Sequence, residues 1–477
     1  MASKTGNPKE HLPVKFTTDI SFLPQEEKDA ARLLIQAVKE IDALYLLQTG
    51  QDLKKQGDVF VKGKGIAVWP EGFTKDELDK FILLHPAQEE SLLSAYTVVK
   101  KEGDLLAAVP YTEAYKERLL PAAKCLEEAA TKLSKYPQFQ AYLFGRAQAF
   151  KDGSFFANDR EWVLTEDAPF ELILGPMESY ADKILNIKRE FEGVFGYAPT
   201  EINEKMRMYK EQAVAFDESL AAAYGYKAAS HLPPITVIDT LALGGEARYE
   251  YIAMACNLPN DPEILEEVGS KKTFYKKVID AKFENIVRPI VDRIASPDLN
   301  IDTSGDAALP FIVGHELAHG LSFGFKGKDF SDLASALEES KADTLGVLFV
   351  YFLADVGLES MAEAENQANL HMIDLIRQVR FDLEEAHAIG ARIQWNWMKE
   401  AGVIKMNGDK LSISSDKIRE AAGALSYEFY KLATAKSYKE AENFISRWGA
   451  VPEELKVLIS KLTDIPVDID PEITVLF

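Results

Sequence analysis

A mainly helical α+β fold divided into two lobes is what this sequence predicts. Three observations carry that reading. Apolar residues at helical spacing dominate both ends of the chain, and short β-rich runs bounded by Gly and Pro interrupt them after about residue 160. The 477 residues also exceed what one small core needs. With 47% hydrophobic and 27% charged residues, the chain has the balance of an ordinary folded protein.

Taken in order, residues 24–56 read as helix. Pro24 opens it, and Ala31, Leu34, Ile35, Val38, Ile41 and Tyr45 recur at helical spacing. The stretches 75–84, 86–102 and 112–134 look similar, broken by Pro86, Gly103 and Pro110. Strands are expected at Phe170-Glu-Leu-Ile-Leu-Gly-Pro176, in Ile235–Leu243 and in Tyr249–Cys256. Between the first two, 180–229 reads as helix, and helical periodicity returns from 275 to about 445. The segment Ile465–Glu472 carries too much Pro to be helix. No internal repeat is present. Helices with a modest block of strands make an α+β architecture.

Basic residues number 54 against 76 acidic ones, a net charge of -22. Such a surface repels phosphate backbones and anionic headgroups, so neither nucleic acid nor membrane is an expected partner. It favours cationic groups, a peptide N-terminus among them. Cys125 and Cys256 are too few for a disulfide framework and form no CxxC. The opening residues Met1–Pro8 hold no apolar stretch of a secretory signal, and no apolar run is long enough for a membrane span. A cytoplasmic protein is expected.

The chemistry concentrates in Gly314-His-Glu-Leu-Ala-His-Gly320, preceded by Pro310-Phe-Ile-Val, which reads as a favourable helix start. Residues four apart share a helical face, so His315 and His319 can offer two imidazoles to one ion. Glu316 stands beside the first of them, placed to take a proton from metal-bound water. Seven histidines and 76 acidic residues would generate only about 0.02 such motifs by chance. A catalytic zinc held by two histidines needs a third ligand. Twenty residues on lies Glu338-Glu-Ser-Lys-Ala-Asp343 in a helical run. There Glu339 can bind the metal while Asp343, four residues on, accepts a hydrogen bond from a ligand histidine; Glu338 is a candidate for the same support. An ion-pair network with Lys341 is the alternative use of these acids. The expected cofactor is one Zn2+ per chain.

HExxH followed by EExxAD resembles the dipeptidyl peptidase III family of zinc metallopeptidases. Gly175-Pro-Met-Glu-Ser-Tyr180 is similar to the family's GPxxESY-type segment. Asn257-Leu-Pro-Asn260, with Gly269-Ser-Lys-Lys and Ala281-Lys-Phe after it, resembles its N-[IL]-P-N segment, and Glu385-Ala-His387 its downstream cleft histidine. These segments occur in the family's order over roughly residues 160–395, and the Ile465-Pro-Val-Asp-Ile ending is similar to shorter bacterial and Nudix-linked members. The resemblance implies that Glu178, Asn257 and Asn260 hold the free amino terminus of a peptide. It implies that Tyr180 and His387 stabilise the oxyanion or orient the substrate. The chain departs from the family in having HExxH, of regular helical spacing, where HExxGH is usual. It is also shorter than the full-length peptidases, so a reduced lower lobe is expected.

The resulting expectation is a zinc metallopeptidase releasing dipeptides, with Glu316 as general base and the zinc in the cleft between lobes. The lower lobe would gather 1–185, 232–275 and 446–477; the upper would take 186–231 and the zinc-binding 276–445. A zinc hydrolase of a non-peptide amide or ester, an endopeptidase, and a peptide-binding protein with weak or no catalysis stay open on the residues alone. Glu316, which no structural zinc needs as a ligand, argues against the last.

Overall fold

A computed structural model describes residues 11–56, 60–229, 232–321, 323–380, 383, 385–408 and 410–477. The segment in which no leader was expected lies mostly among residues 1–10, outside the described residues. The chain is α+β and mainly helical, in two lobes, as its periodicity predicts. No helix among the described residues is long and apolar enough to cross a membrane.

The first long helix, Gln25–Gln48, buries Ala30, Ala31, Leu34, Ala37, Val38, Ile41, Leu44 and Tyr45 along one face. It packs on helix Lys116–Lys132 and on the strands behind it. It stops at Thr49, several residues before the predicted end, because Gly50 turns into the left-handed region (φ 65°). Helix Lys75–Leu84 forms as expected behind a Thr74/Glu77 capping box. The stretch 86–102 does not form one helix. A short helical stretch ends at Leu93, and two strands follow: β1 (His11–Asp19) has preceded them in the chain, β2 is Thr97–Glu102 and β3 is Leu105–Pro110. β2 and β3 pair antiparallel around Gly103, whose φ of 63° suits a tight hairpin, and the β-branched Thr97-Val98-Val99 run favours the strand.

The main sheet holds β4 (Phe170–Glu178), β5 (Glu190–Tyr197), β6 (Ile235–Gly245), β7 (Ala255–Leu258) and β8 (Lys271–Tyr275) in the order β4-β5-β6-β8-β7. Only β6 and β8 run parallel. β5 corrects the reading of 180–229 as helix, since helix begins only at Thr200 and runs to Tyr224. The Tyr249–Cys256 expectation narrows to a strand starting at Ala255, because Glu246–Tyr249 forms a helical turn.

Beyond residue 276 helices dominate, as expected. Helix Ala334–Asp355 is the axis, buried through most of its length and packed by Gly305–Ala318, Met361–Val379, Ala386–Glu400 and Ser415–Ala435. A hairpin of β9 (Ile404–Asn407) and β10 (Lys410–Ile413) interrupts them. Helix Thr200–Tyr224 reaches from β6 to this bundle, with Phe216 against the rings of Phe349 and Phe352. The Pro-rich end avoids helix, as predicted, and forms β11 (Asp468–Leu476), parallel to β1.

Candidate metal centre

The HExxH helix starts earlier than its Pro suggests. Ser304 caps it by accepting from Ala307 N at 3.2 Å, so the helix runs Gly305–Ala318 and Pro310 sits inside it, not at its start. Leu309, Ile312, Val313 and Leu317 anchor one side in the core. The close crossing with helix Ala334–Asp355 depends on two glycines. A Cβ on Gly314 would stand 2.8 Å from Phe349 Cδ1, and one on Gly346 would stand 3.1 Å from His315 N.

This crossing brings Glu339 to the histidines. The Nε2 atoms of His315 and His319 lie 3.2 Å apart, and Glu339 Oε2 is 3.4 Å from the first and 3.7 Å from the second. One donor atom from each residue falls within a single 4.8 Å cluster. Glu339 Oε2 is buried and has no hydrogen-bond partner, as befits an oxygen facing a cation. Two imidazole nitrogens and one carboxylate form a donor set that suits zinc.

Supporting contacts fix each imidazole by its other nitrogen. His315 Nδ1 lies 2.7 Å from Asp343 Oδ1, and His319 Nδ1 lies 3.1 Å from Glu338 Oε1. Donation from Nδ1 leaves Nε2 free to ligate. Lys341, fully buried, pairs with Glu338 at 2.6 Å and donates to the carbonyls of Ala318 and Phe323. The ion-pair alternative is therefore real for Glu338, while Glu339 and Asp343 face the histidines. Glu316 Oε2 accepts from Lys272 Nζ of β8 at 3.3 Å. Burial works to raise the Glu316 carboxyl, but the Lys272 ammonium and the two imidazoles outweigh it and hold it below the usual range.

The residues expected to hold substrate meet beside this centre. Glu178, at the end of β4, accepts from Asn260 Nδ2 at 2.8 Å, and Asn257 of β7 accepts from Ser270 Oγ at 2.7 Å. With the exposed Tyr180 they line a cavity of about 380 Å³ that also reaches Glu316, His319 and Glu339. His387 reaches the same centre from another side, at the start of helix Ala386–Glu400, with Nε2 3.3 Å from Glu339 Oε2 and Nδ1 2.7 Å from Glu385. It lines an adjoining cavity of about 710 Å³ with His315, Glu316 and Asp343.

Sequence reasoning gave no role to four neighbours. Lys272 belongs to a quoted segment but meets Glu316 only through the fold. Glu192 and Glu246 also line the smaller cavity. Glu192 had a signal, since the acids of Glu190-Phe-Glu192 alternate in an otherwise apolar strand. Gln394 donates to Asp343 Oδ2 at 2.8 Å and had none.

The sequence model of peptidase family M49 matches residues 25–322. The chain belongs to peptidase family M49. The family is one of peptidases. This M49 peptidase is 27% identical over 380 residues to Nudix hydrolase 3 of Arabidopsis thaliana, a match covering 77% of this chain and 49% of that protein. It thus spans about half the length of that curated relative. The dipeptidyl-peptidase III structure from Corallococcus sp. strain EGB superposes with a TM-score of 0.78 at 28% identity, covering 97% of this chain and 95% of the other. The structure of DPP III from Caldithrix abyssi gives 0.90 at 24% identity, covering 97% and 98%, and shares the fold.

Proposed function

We propose that this M49 peptidase is zinc-dependent and releases dipeptides from the N-terminus of peptides, with Glu316 as general base. One observation carries the reading: the unpartnered Glu339 oxygen and two imidazole nitrogens face one point beside a cavity lined by Glu178, Asn257 and Asn260. His315, His319 and Glu339 would hold the zinc, which when bound acidifies water and polarises a carbonyl. Glu316 keeps Oε2 on Lys272 and takes the proton of the attacking water at its other oxygen, then returns it to the leaving amine. Glu178, with Asn257 and Asn260, receives the substrate ammonium, so the distance from that group to the metal measures two residues. Tyr180 and His387 orient the scissile carbonyl and donate toward the charge developing on its oxygen. The sheet side, 1–185, 232–275 and 446–477, forms one lobe, and 186–231 with 276–445 the other. Their closure expels water from between them.

The test is metal content by elemental analysis together with dipeptide release from an unblocked peptide and its N-acetylated twin. One zinc per chain and cleavage of the free-amine peptide alone are expected, with Glu316→Gln retaining metal and losing at least about a hundredfold in kcat. Equal cleavage of both twins would remove the ammonium ruler and leave an endopeptidase. Absence of stoichiometric metal would overturn the zinc reading.

A further inference from the structure

Two side chains in the wall of the larger cavity hold buried acceptors that no donor meets. Asp343 is an acceptor, so the Gln394 amide must turn its NH2 toward Asp343 Oδ2, 2.8 Å away. Its oxygen then faces His371 Nε2, also at 2.8 Å, and that nitrogen must carry the ring proton. His371 Nδ1 is left as a bare lone pair. The residue is 1% exposed, and Nδ1 has no hydrogen-bond partner. One turn earlier on the same helical face, Gln367 is 3% exposed and its Oε1 is equally unpartnered. Buried acceptors without donors are costly, and both side chains line the 710 Å³ cavity.

The remaining lining narrows what would satisfy them. Phe283, Phe311, Ile312 and Leu370 make apolar walls, and the Phe311 ring lies against the His371 imidazole with centroids 4.3 Å apart. The charged groups are already matched, Lys282 with Asp468 at 2.9 Å and Arg377 with Asp374. A charged occupant therefore finds no free counter-ion there among the described residues, whereas a neutral aromatic body with one donor at its tip matches both the walls and the lone pair behind them. A phenol has that form. The cavity shares Glu316, Ile252 and Ala255 with the one lined by Glu178, and extends from them on the His387 side.

We propose that this cavity is a subsite for the side chain that follows the cleaved bond, selecting tyrosine over phenylalanine through a hydrogen bond from the phenol to His371 Nδ1. The assignment to that substrate position rests on the proposed dipeptidyl reading; the phenol recognition does not.

Two measurements separate them. In binding titrations by NMR, 4-ethylphenol should bind the wild-type protein at least about fivefold more tightly than ethylbenzene. The preference should vanish in His371→Phe, which keeps an aromatic ring there but offers no acceptor. In hydrolysis, Ala-Ala-Tyr-Ala should exceed Ala-Ala-Phe-Ala in kcat/KM by about tenfold for the wild type and by less than about twofold for His371→Phe. Gln367→Leu, which leaves the His371–Gln394 contact intact, should lower the same ratio and serves if His371→Phe fails to fold. Equal binding of the two probes by the wild-type protein overturns the proposal, and so does cleavage of both peptides at one rate. Phenol selectivity without any peptide hydrolysis would sustain the subsite and sink the dipeptidyl reading.

Discussion

Lys272 shows how a single side chain divides its neighbours' work. Successive residues of β8 point to opposite faces, so Lys271 pairs with Glu171 at 2.6 Å on one side and Lys272 reaches Glu316 on the other. The Lys272 side chain is 2% exposed, and its ammonium holds one Glu316 oxygen. Without it that carboxylate is a buried anion free to turn away from the position proposed for the attacking water. Lys272→Met should lower kcat by about 10- to 100-fold while KM stays within about threefold, and Lys272→Arg should recover part of the loss. Steady-state kinetics on one peptide decide this; a loss confined to KM would show that Lys272 binds substrate instead. The same residue marks the limit of reading a site from sequence. His315, Glu316, His319, Glu339 and Asp343 were legible because helical period and coordination chemistry are both local rules. The Lys272–Glu316 contact joins two elements, and no spacing announces it.

Elements were legible where one face is apolar and the other wet. Gln25–Gln48 and Lys75–Leu84 follow that rule, and their periodicity locates them. β5 breaks it, being buried along nearly its whole length while carrying Glu190 and Glu192, so it reads neither as an alternating strand nor as an apolar run. β1 and β11 pair across almost the entire chain, and nothing local reveals a partner so distant. The crossing of helices Gly305–Ala318 and Ala334–Asp355 lies between these cases, since both helices were expected but their separation was not. That separation is set by Gly314 and Gly346. Gly346→Ala would place a Cβ 3.1 Å from both His315 N and Phe311 Cε2, and the helices must part by a few tenths of an ångström. Overpacking of this kind costs about 1–3 kcal/mol. Because the strain falls on the backbone of His315, a proposed zinc ligand, zinc affinity should also drop by about tenfold. Urea unfolding and competition with a chromogenic chelator read the two effects. Loss of stability with unchanged metal affinity would show that the crossing supports the core alone.

At the scale of the molecule, the cavity proposed to receive the substrate amine gathers carboxylates that no base among the described residues neutralises. Glu178, Glu192 and Glu246 line one cavity, Glu190 lies behind them, and among the described residues none of the four makes an ion pair. Glu190 Oε2 and Glu192 Oε1 are buried without hydrogen-bond partners. Burial, reinforced by repulsion from neighbouring carboxylates, pushes the Glu190 carboxyl up to about 7 and Glu246 to about 8 and raises Glu192 in the same direction; burial alone raises Glu178, against the pull of Asn260 and Arg189, and Lys62 offsets little of the rise at Glu246. For an acid whose folded pKa lies above its unfolded one, the folded state holds more protons, so stability falls as pH rises between the two values. The contribution is complete below the ordinary carboxyl range and is lost as pH climbs through about 7 to 8. The ligand-free protein should therefore melt at a lower temperature at pH 8.5 than at pH 6. Glu192→Gln, which removes one charge and keeps the shape, should flatten that slope. A peptide ammonium supplies the missing positive charge, so a non-hydrolysed peptide analogue with a free N-terminus should raise the melting temperature more at pH 8.5 than at pH 6, and its N-acetylated twin should not. If the wild type and Glu192→Gln share one slope, the cluster is compensated in solution by some other cation, and the attraction of this lobe for an amino terminus must come from Glu178 alone.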